Sequence, residues 1–376
     1  MSDSIQLFSV RGIVIRMHLT FPLILVWAVL QFGVFTGQGL TGAIFGVVVT
    51  LLLFAIVVLH ELGHSLTAQR YGIEVKEIVL LPLGGVAQLE RIPEKPAQEF
   101  VIAIAGPAVN GLIAIIMLLL NRIFGIGGPP QDTSLMLVGL ETGAVDAVFN
   151  YIFIANLFLA IFNLVPAFPL DGGRVLRALL ASRMSYARAT AIAVTLGQSL
   201  AWLMGLWGFL NGNFFLILIA IFIYTGAGQE GQMVQLRRTL GNLKVHQAYS
   251  RKAETLRPET TLQEVVQRLL SSFQTDFPVC DGERMVGLVS YTRLVEALNQ
   301  FKPETPVQQI MQTNIQPARP NDSLFDIQQR MMTERLEALP VVEDGRFLGL
   351  LTIRDVSEAY RLLSVQPALF AGKAAS

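Results

Sequence analysis

Apolar residues crowd into the first 228 positions of this chain, in runs about as long as a bilayer is thick. A helix rises about 1.5 Å per residue, so about 20 apolar residues cross a hydrocarbon core of about 30 Å. Six such runs can be placed, over about 20–36, 41–68, 97–120, 144–165, 187–210 and 213–227. Lipid cannot satisfy open backbone groups, so these runs must fold as packed helices. Hydrophobic residues make up 52% of the chain and charged ones 15%, too apolar for an ordinary soluble domain. The first run follows basic residues, as a signal peptide does. It is span-length and no small-x-small cleavage site follows, so it is expected to stay as a first helix.

Charge sets the remaining organisation. Arg11 and Arg16 precede the first run, Arg70 and Lys76 follow the second, and Arg174, Arg177, Arg183 and Arg188 follow the fourth. The opposite loops are almost free of basic residues. The positive-inside rule then puts both termini in the cytoplasm, and the cell membrane is the expected location. From 229 onward the sequence turns charged, which predicts a membrane domain over 1–228, a linker over 229–244 and a cytoplasmic part beyond. Net charge is zero, so nothing points to a nucleic-acid partner. A single cysteine, Cys280, excludes an internal disulfide and any multi-cysteine zinc site; it reads as a small buried hydrophobe. Between the second and third runs, "VLLPLGGVAQL" predicts a short hairpin turning at Gly84 and Gly85, lying at or in the membrane surface.

The second run ends in "VVLHELGHSLTAQR". On a helix, His60 and His64 share one face and can hold one Zn²⁺, with Glu61 beside them to act on water. Ionisable groups inside a span are costly and mark function. Catalytic zinc takes three protein ligands and keeps a position open. The chain has only four histidines. His18 reads as an interfacial polar anchor and His246 falls in the linker, so a carboxylate is the better third ligand. "NLVPAFPLDGGRVL" offers Asp171 at the same depth as His60, after Pro166 and Pro169 break the helix and where Gly172 and Gly173 let the chain bend. The competing reading of Asp171 is an N-cap of the helix near Arg174.

Together, HELGH in the second run, GPAVN over 106–110 in the third and NLVPAFPLDGG after the fourth resemble the site-2 proteases, a family of intramembrane zinc metalloproteases. The resemblance covers the membrane part of the chain. It implies one zinc on His60, His64 and Asp171, and Glu61 as catalytic base of a zinc metalloendopeptidase. It implies membrane-protein substrates cut within a transmembrane helix, in regulated intramembrane proteolysis. Gly84, Gly85, Gly106, Pro107, Asn110 and Asn163 would line or shape the substrate site. The hairpin edge could take an unwound substrate by strand addition. Asn110 and Asn163 could hold a substrate carbonyl or oxyanion, or instead join helices by hydrogen bonds. Imidazole ligands must be neutral, so activity should fall in acid.

The charged part repeats itself. "LRPETTLQEVVQRLL" from 256 matches "ARPNDSLFDIQQRMM" from 318, and "FPVCDGERMVGLVSYTRLVEAL" matches "LPVVEDGRFLGLLTIRDVSEAY" at the same offset. Each unit reads strand, helix, strand, turn, strand, helix. The pair resembles tandem CBS domains, over 245–303 and 304–363, with a tail at 364–376. That resemblance implies an α/β module with clefts for ATP, ADP or AMP, and pairing with a second copy. Thr352 and Asp355 would meet phosphate and ribose. Ser290 and Arg293 hold those places in the first unit, and arginine cannot accept ribose hydroxyls. The module could instead only pack, dimerise or dock.

The expected fold is therefore a polytopic α-helical membrane domain of about six spans followed by a cytoplasmic α/β CBS pair. Two other functions fit parts of the pattern. A transporter or channel gated by the CBS pair would need a polar pathway and no catalytic base. A catalytically dead membrane chaperone would not need the complete ligand set.

Overall fold

A computed structural model describes residues 4–82, 84–89, 95–127, 144–241 and 243–365. The chain divides into two compact units, Met1–Gly231 and Gln232–Ser376.

The first unit opens with strands β1 (Ser4–Val10) and β2 (Ile13–His18). Helix α1 (Pro22–Val29) continues as a single π turn to Val34. Then come α2 (Gly39–Arg70), β3 (Val75–Leu81), β4 (Gly84–Leu89), α3 (Pro96–Phe124) and α4 (Ala144–Asn163). The short α5 (Asp171–Ala181) precedes α6 (Tyr186–Leu210) and α7 (Phe214–Leu240). Helices α2, α3, α4, α6 and α7 are long and apolar enough to cross a membrane. The first expected span differs. Its helix, Pro22–Val34, belongs to the shorter class of 10–17 residues, which rises no more than about 25 Å. The helix is bounded on both sides: β2 ends at His18 just before it, and Gly37 and Gly39 turn the chain just after it in left-handed backbone (φ +72° and +58°).

Four strands form one sheet in the order β1-β2-β3-β4. The hairpin β3–β4 is antiparallel, while β2 and β3 run parallel, with Val14 beside Glu77. Leu80 faces Gly85 and Leu81 faces Gly84, so the two glycines open β4 rather than form the turn, which starts at Pro82. The sheet buries Ile13, Ile15, Ile78 and Leu80 against Val58, Leu62 and Ala68 of α2. That contact fixes which way the rest of α2 faces. The strand β4 remains a sheet edge.

The second unit holds α8 (Leu262–Ser271), β5 (Phe277–Asp281), β6 (Arg284–Val289), α9 (Tyr291–Leu298), α10 (Leu324–Glu334), β7 (Ala338–Glu343), β8 (Arg346–Thr352) and α11 (Ile353–Val365). Its sheet runs β5-β6-β8-β7. Leading segments are exchanged between the repeats. Ser250 bridges to Leu350 of the second repeat, and Gln312 to Leu288 of the first. Val307 and Ile310 accordingly complete the first core, and Leu243 and Val245 the second. Most of the expected linker is the end of α7, and Leu240 sits in the second core. Cys280 is buried, and burial pushes its thiol up, which keeps it protonated and inert. Of the expected tail, everything from 366 onward lies outside the described residues, as does most of the loop after α3.

Candidate metal centre

With Val58, Leu62 and Ala68 of α2 turned to the sheet, His60 and His64 turn to α3 and to the start of α5. Their Nε2 atoms are 3.1 Å apart, and each is 3.1 Å from Oδ2 of Asp171. All three side chains are buried. A tetrahedral zinc with bonds of about 2.0 Å wants donor atoms about 3.3 Å apart, so these three fit one ion. Among the described residues they form the group of metal-capable side chains that converges.

Two of the three donors are held from outside, His64 and Asp171, while Nδ1 of His60 is buried without a partner among the described residues. The Nδ1–H of His64 donates to the carbonyl of Ile102 at 2.7 Å, which frees its Nε2 lone pair for a metal. Asp171 is the first residue of α5 and makes no cap; the residue at the cap position is Leu170, without a side-chain bond. The carboxylate therefore points at the histidines instead of its own helix. The chain reaches that point because α4 ends at Asn163 and the proline segment turns through short backbone bonds, Val165 to Ala167 and Ala167 to Leu170.

Two glycines are required by close approach. A Cβ on Gly106 would lie 2.7 Å from Nε2 of His60 and nearer still to Nε2 of His64. A Cβ on Gly85 would lie 2.7 Å from Cγ of Glu61, which brings the edge strand β4 directly onto that side chain. We expect Gly106→Ala to push α3 off the histidines and weaken zinc binding at least about tenfold, read by chelator competition on the purified protein.

The other expected site residues lie as follows. Glu61 is partly exposed beside the buried histidines. Gly84 pairs with Leu81 at the head of β4. Pro107 sits inside α3, buried one residue after Gly106. Asn110 is fully buried, and its carbonyl accepts from Nδ2 of Asn156 at 2.9 Å. Asn163 is partly exposed at the end of α4. Sequence reasoning did not single out Asn156, Glu99, Glu230 or Arg177. Their signal was polarity within apolar stretches, and for Arg177 it was read as topology alone.

In the second unit, Thr352 donates to Oδ2 of Asp355 through both N–H (2.8 Å) and Oγ1 (2.7 Å), and Asp355 N–H returns a bond to Oγ1. The pair caps α11. Arg293 donates to the carbonyl of Ile310 and to Glu296. A groove of about 520 Å³, lined by residues 311–316, Glu334 and Leu336, lies where Gln312 bridges to Leu288, on the Arg293 side.

The chain also matches known proteins. Residues 48–204 match peptidase family M50, and 245–300 and 307–362 each match the CBS domain. A zinc metalloprotease of Methanocaldococcus jannaschii is 34% identical over 98% of this chain and 99% of its own length. A Synechocystis sp. relative is 30% identical over 93% of this chain and 94% of its own. The solved site-2 protease of M. jannaschii is 41% identical, covering 61% of this chain and 95% of that one, at a TM-score of 0.45. Nothing in these matches supports a transporter. The chain is a member of peptidase family M50, the site-2 proteases: an intramembrane zinc metalloprotease that carries a tandem CBS pair.

Proposed function

We propose that His60, His64 and Asp171 hold one zinc and that Glu61 is the base of an endopeptidase acting on transmembrane helices. The observation that carries this reading is the set of three donor atoms, mutually 3.1 Å apart, two from α2 and one from the start of α5, with the carboxylate of Glu61 next to His60 in the chain. Zinc bound there supplies a polarised scissile carbonyl and an acidified water. Glu61 would serve as the base, taking a proton from a water molecule at the site and handing it to the leaving amide nitrogen. A helical substrate has few free backbone groups, so it must unwind, and glycine or proline in its span makes that easier.

The edge of β4 accepts the unwound segment by strand addition, and Gly85 lets it pass close to Glu61. Asn163 holds a substrate carbonyl or the developing oxyanion. Asn110, fully buried, shapes the site together with Gly106 and Pro107. Both termini face the cytoplasm, in the cell membrane. The test is a comparison of membrane-protein fragments in cells with the intact protein and with Glu61→Gln. Fragments ending within transmembrane segments should disappear with the variant. An unchanged fragment set would sink the reading.

The CBS pair takes an adenine nucleotide near Asp355, with the second carboxylate oxygen free to meet ribose. A second copy binds through Tyr291, Val295 and Leu298, an exposed apolar stripe on α9. Asp355→Ala should weaken ATP, ADP or AMP binding by about one to two orders of magnitude, because a charge-assisted bond is worth about 1.5–3 kcal/mol. Arg293→Ala should do much less. Calorimetry on the full chain checks both, and no binding at millimolar nucleotide would leave the pair a packing module.

A further inference from the structure

Among the described residues Arg177 heads the largest fully buried side chains, at 1% exposure, and no step of the mechanism uses it. It lies on α5, in the same 11-residue helix that Asp171 begins. Its Nε donates to Oε1 of Glu99 at 2.7 Å, and a terminal nitrogen reaches the same oxygen at 2.5 Å. The other terminal nitrogen donates to Oε1 of Glu230 at 2.5 Å. The guanidinium stacks 4.8 Å from the ring centre of Phe168 and 4.9 Å from that of Tyr186. Tyr186 Oη also donates to Oε1 of Glu99, at 3.4 Å. One side chain thus joins α3, the proline segment, α5, α6 and α7.

A buried ion cluster of this kind adds little stability over an apolar packing of equal volume, so its value lies in the geometry it fixes. Here that geometry bears on the donor atoms. Phe168 and Arg177 flank Asp171 in sequence, and their stacking braces the ligand segment from both sides. Glu99 lies one turn before Ile102, whose carbonyl orients His64, and two turns before Gly106, which backs both imidazoles. The Arg177–Glu99 pair therefore ties the carboxylate ligand to the helix that orients the second histidine. Slack between α3 and α5 would open the 3.1 Å spacing of Asp171 and His64. Glu230 is the separable arm: its side chain is 22% exposed, and α7 runs on from it without a break to Leu240.

We propose that Arg177 is a positioning residue of the metal centre, and that Glu230 is the arm by which the last membrane helix tightens or slackens it. The inference rests on the reading of His60, His64 and Asp171 as ligands. Lysine cannot reproduce the fork that joins both carboxylates. In the full-length protein, Arg177→Lys should therefore weaken zinc binding about 10- to 100-fold, the range for partners that orient ligands. The absorption spectrum of the cobalt-substituted protein should change, and kcat should fall with KM unchanged. Glu230→Gln, whose side chain is partly exposed, should fold as the parent does and show a smaller change in the same direction, about threefold or more. Zinc affinity, cobalt spectrum and kcat all within twofold of the parent in both variants would overturn the proposal, whatever happens to the thermal midpoint. If Arg177→Lys does not fold, Glu230→Gln decides alone. His60→Ala, measured alongside, separates the two claims. Zinc lost there, with all three readouts unchanged in Arg177→Lys and Glu230→Gln, overturns the positioning role only. Zinc kept in both His60→Ala and Arg177→Lys overturns the ligand assignment beneath it.

Discussion

Replacing Glu61 by glutamine should leave zinc bound and lower the cleavage rate by about 10² to 10⁴ or more. Glutamine keeps the shape of the side chain, so the contact with Gly85 of β4 survives and the protein should melt as the parent does. What it loses is the ability to accept a proton. Glu61 is not among the three donors that converge, so metal content should not change. The rate is read on a transmembrane substrate in proteoliposomes, with zinc counted in the same preparation. Turnover near the parent rate would mean that another group takes the proton.

Asp171→Ala should cost the metal itself. Two imidazoles 3.1 Å apart remain, without the anionic donor that balances the charge of the ion. The loss of affinity should exceed the factor of about 10–100 seen when only an orienting partner is removed. Cleavage should fall to background. Asp171→Asn serves as the shape control and should bind zinc weakly as well, because an amide is a poor ligand next to a carboxylate. Chelator competition measures both. Full zinc content in the alanine variant would move the third ligand elsewhere, and His18 would be examined next.

The histidines were legible because their signal is local. A four-residue spacing on a helix places two rings on one face whatever the rest of the chain does. Asp171 was legible through its neighbours, since two prolines and two glycines mark a forced bend, though the same residues allowed a helix cap. The cap reading is set aside only in three dimensions, where Leu170 holds the cap position and the Asp171 carboxylate faces the two histidines. The strands β1 and β2 were not legible. "IVIRMH" was read as the charged flank of a span, and its pairing with β3 is made across the whole of α1 and α2. Arg177 was hidden for the same reason: its carboxylate partners lie 78 and 53 residues away. The 62-residue offset exposed the two CBS units from sequence alone. The exchange of their leading segments could not be read there, because each segment carries the same pattern and would fit its own unit as well.

Zinc K-edge absorption on the purified full-length protein, with the zinc content counted per chain, addresses the metal centre most directly. The predicted result is one zinc per chain with two imidazole nitrogens and light oxygen ligands at about 2.0 Å, and a shell that changes when Asp171 is replaced by alanine. A shell containing sulfur, or one identical in the parent and the Asp171→Ala variant, would contradict the assignment of His60, His64 and Asp171.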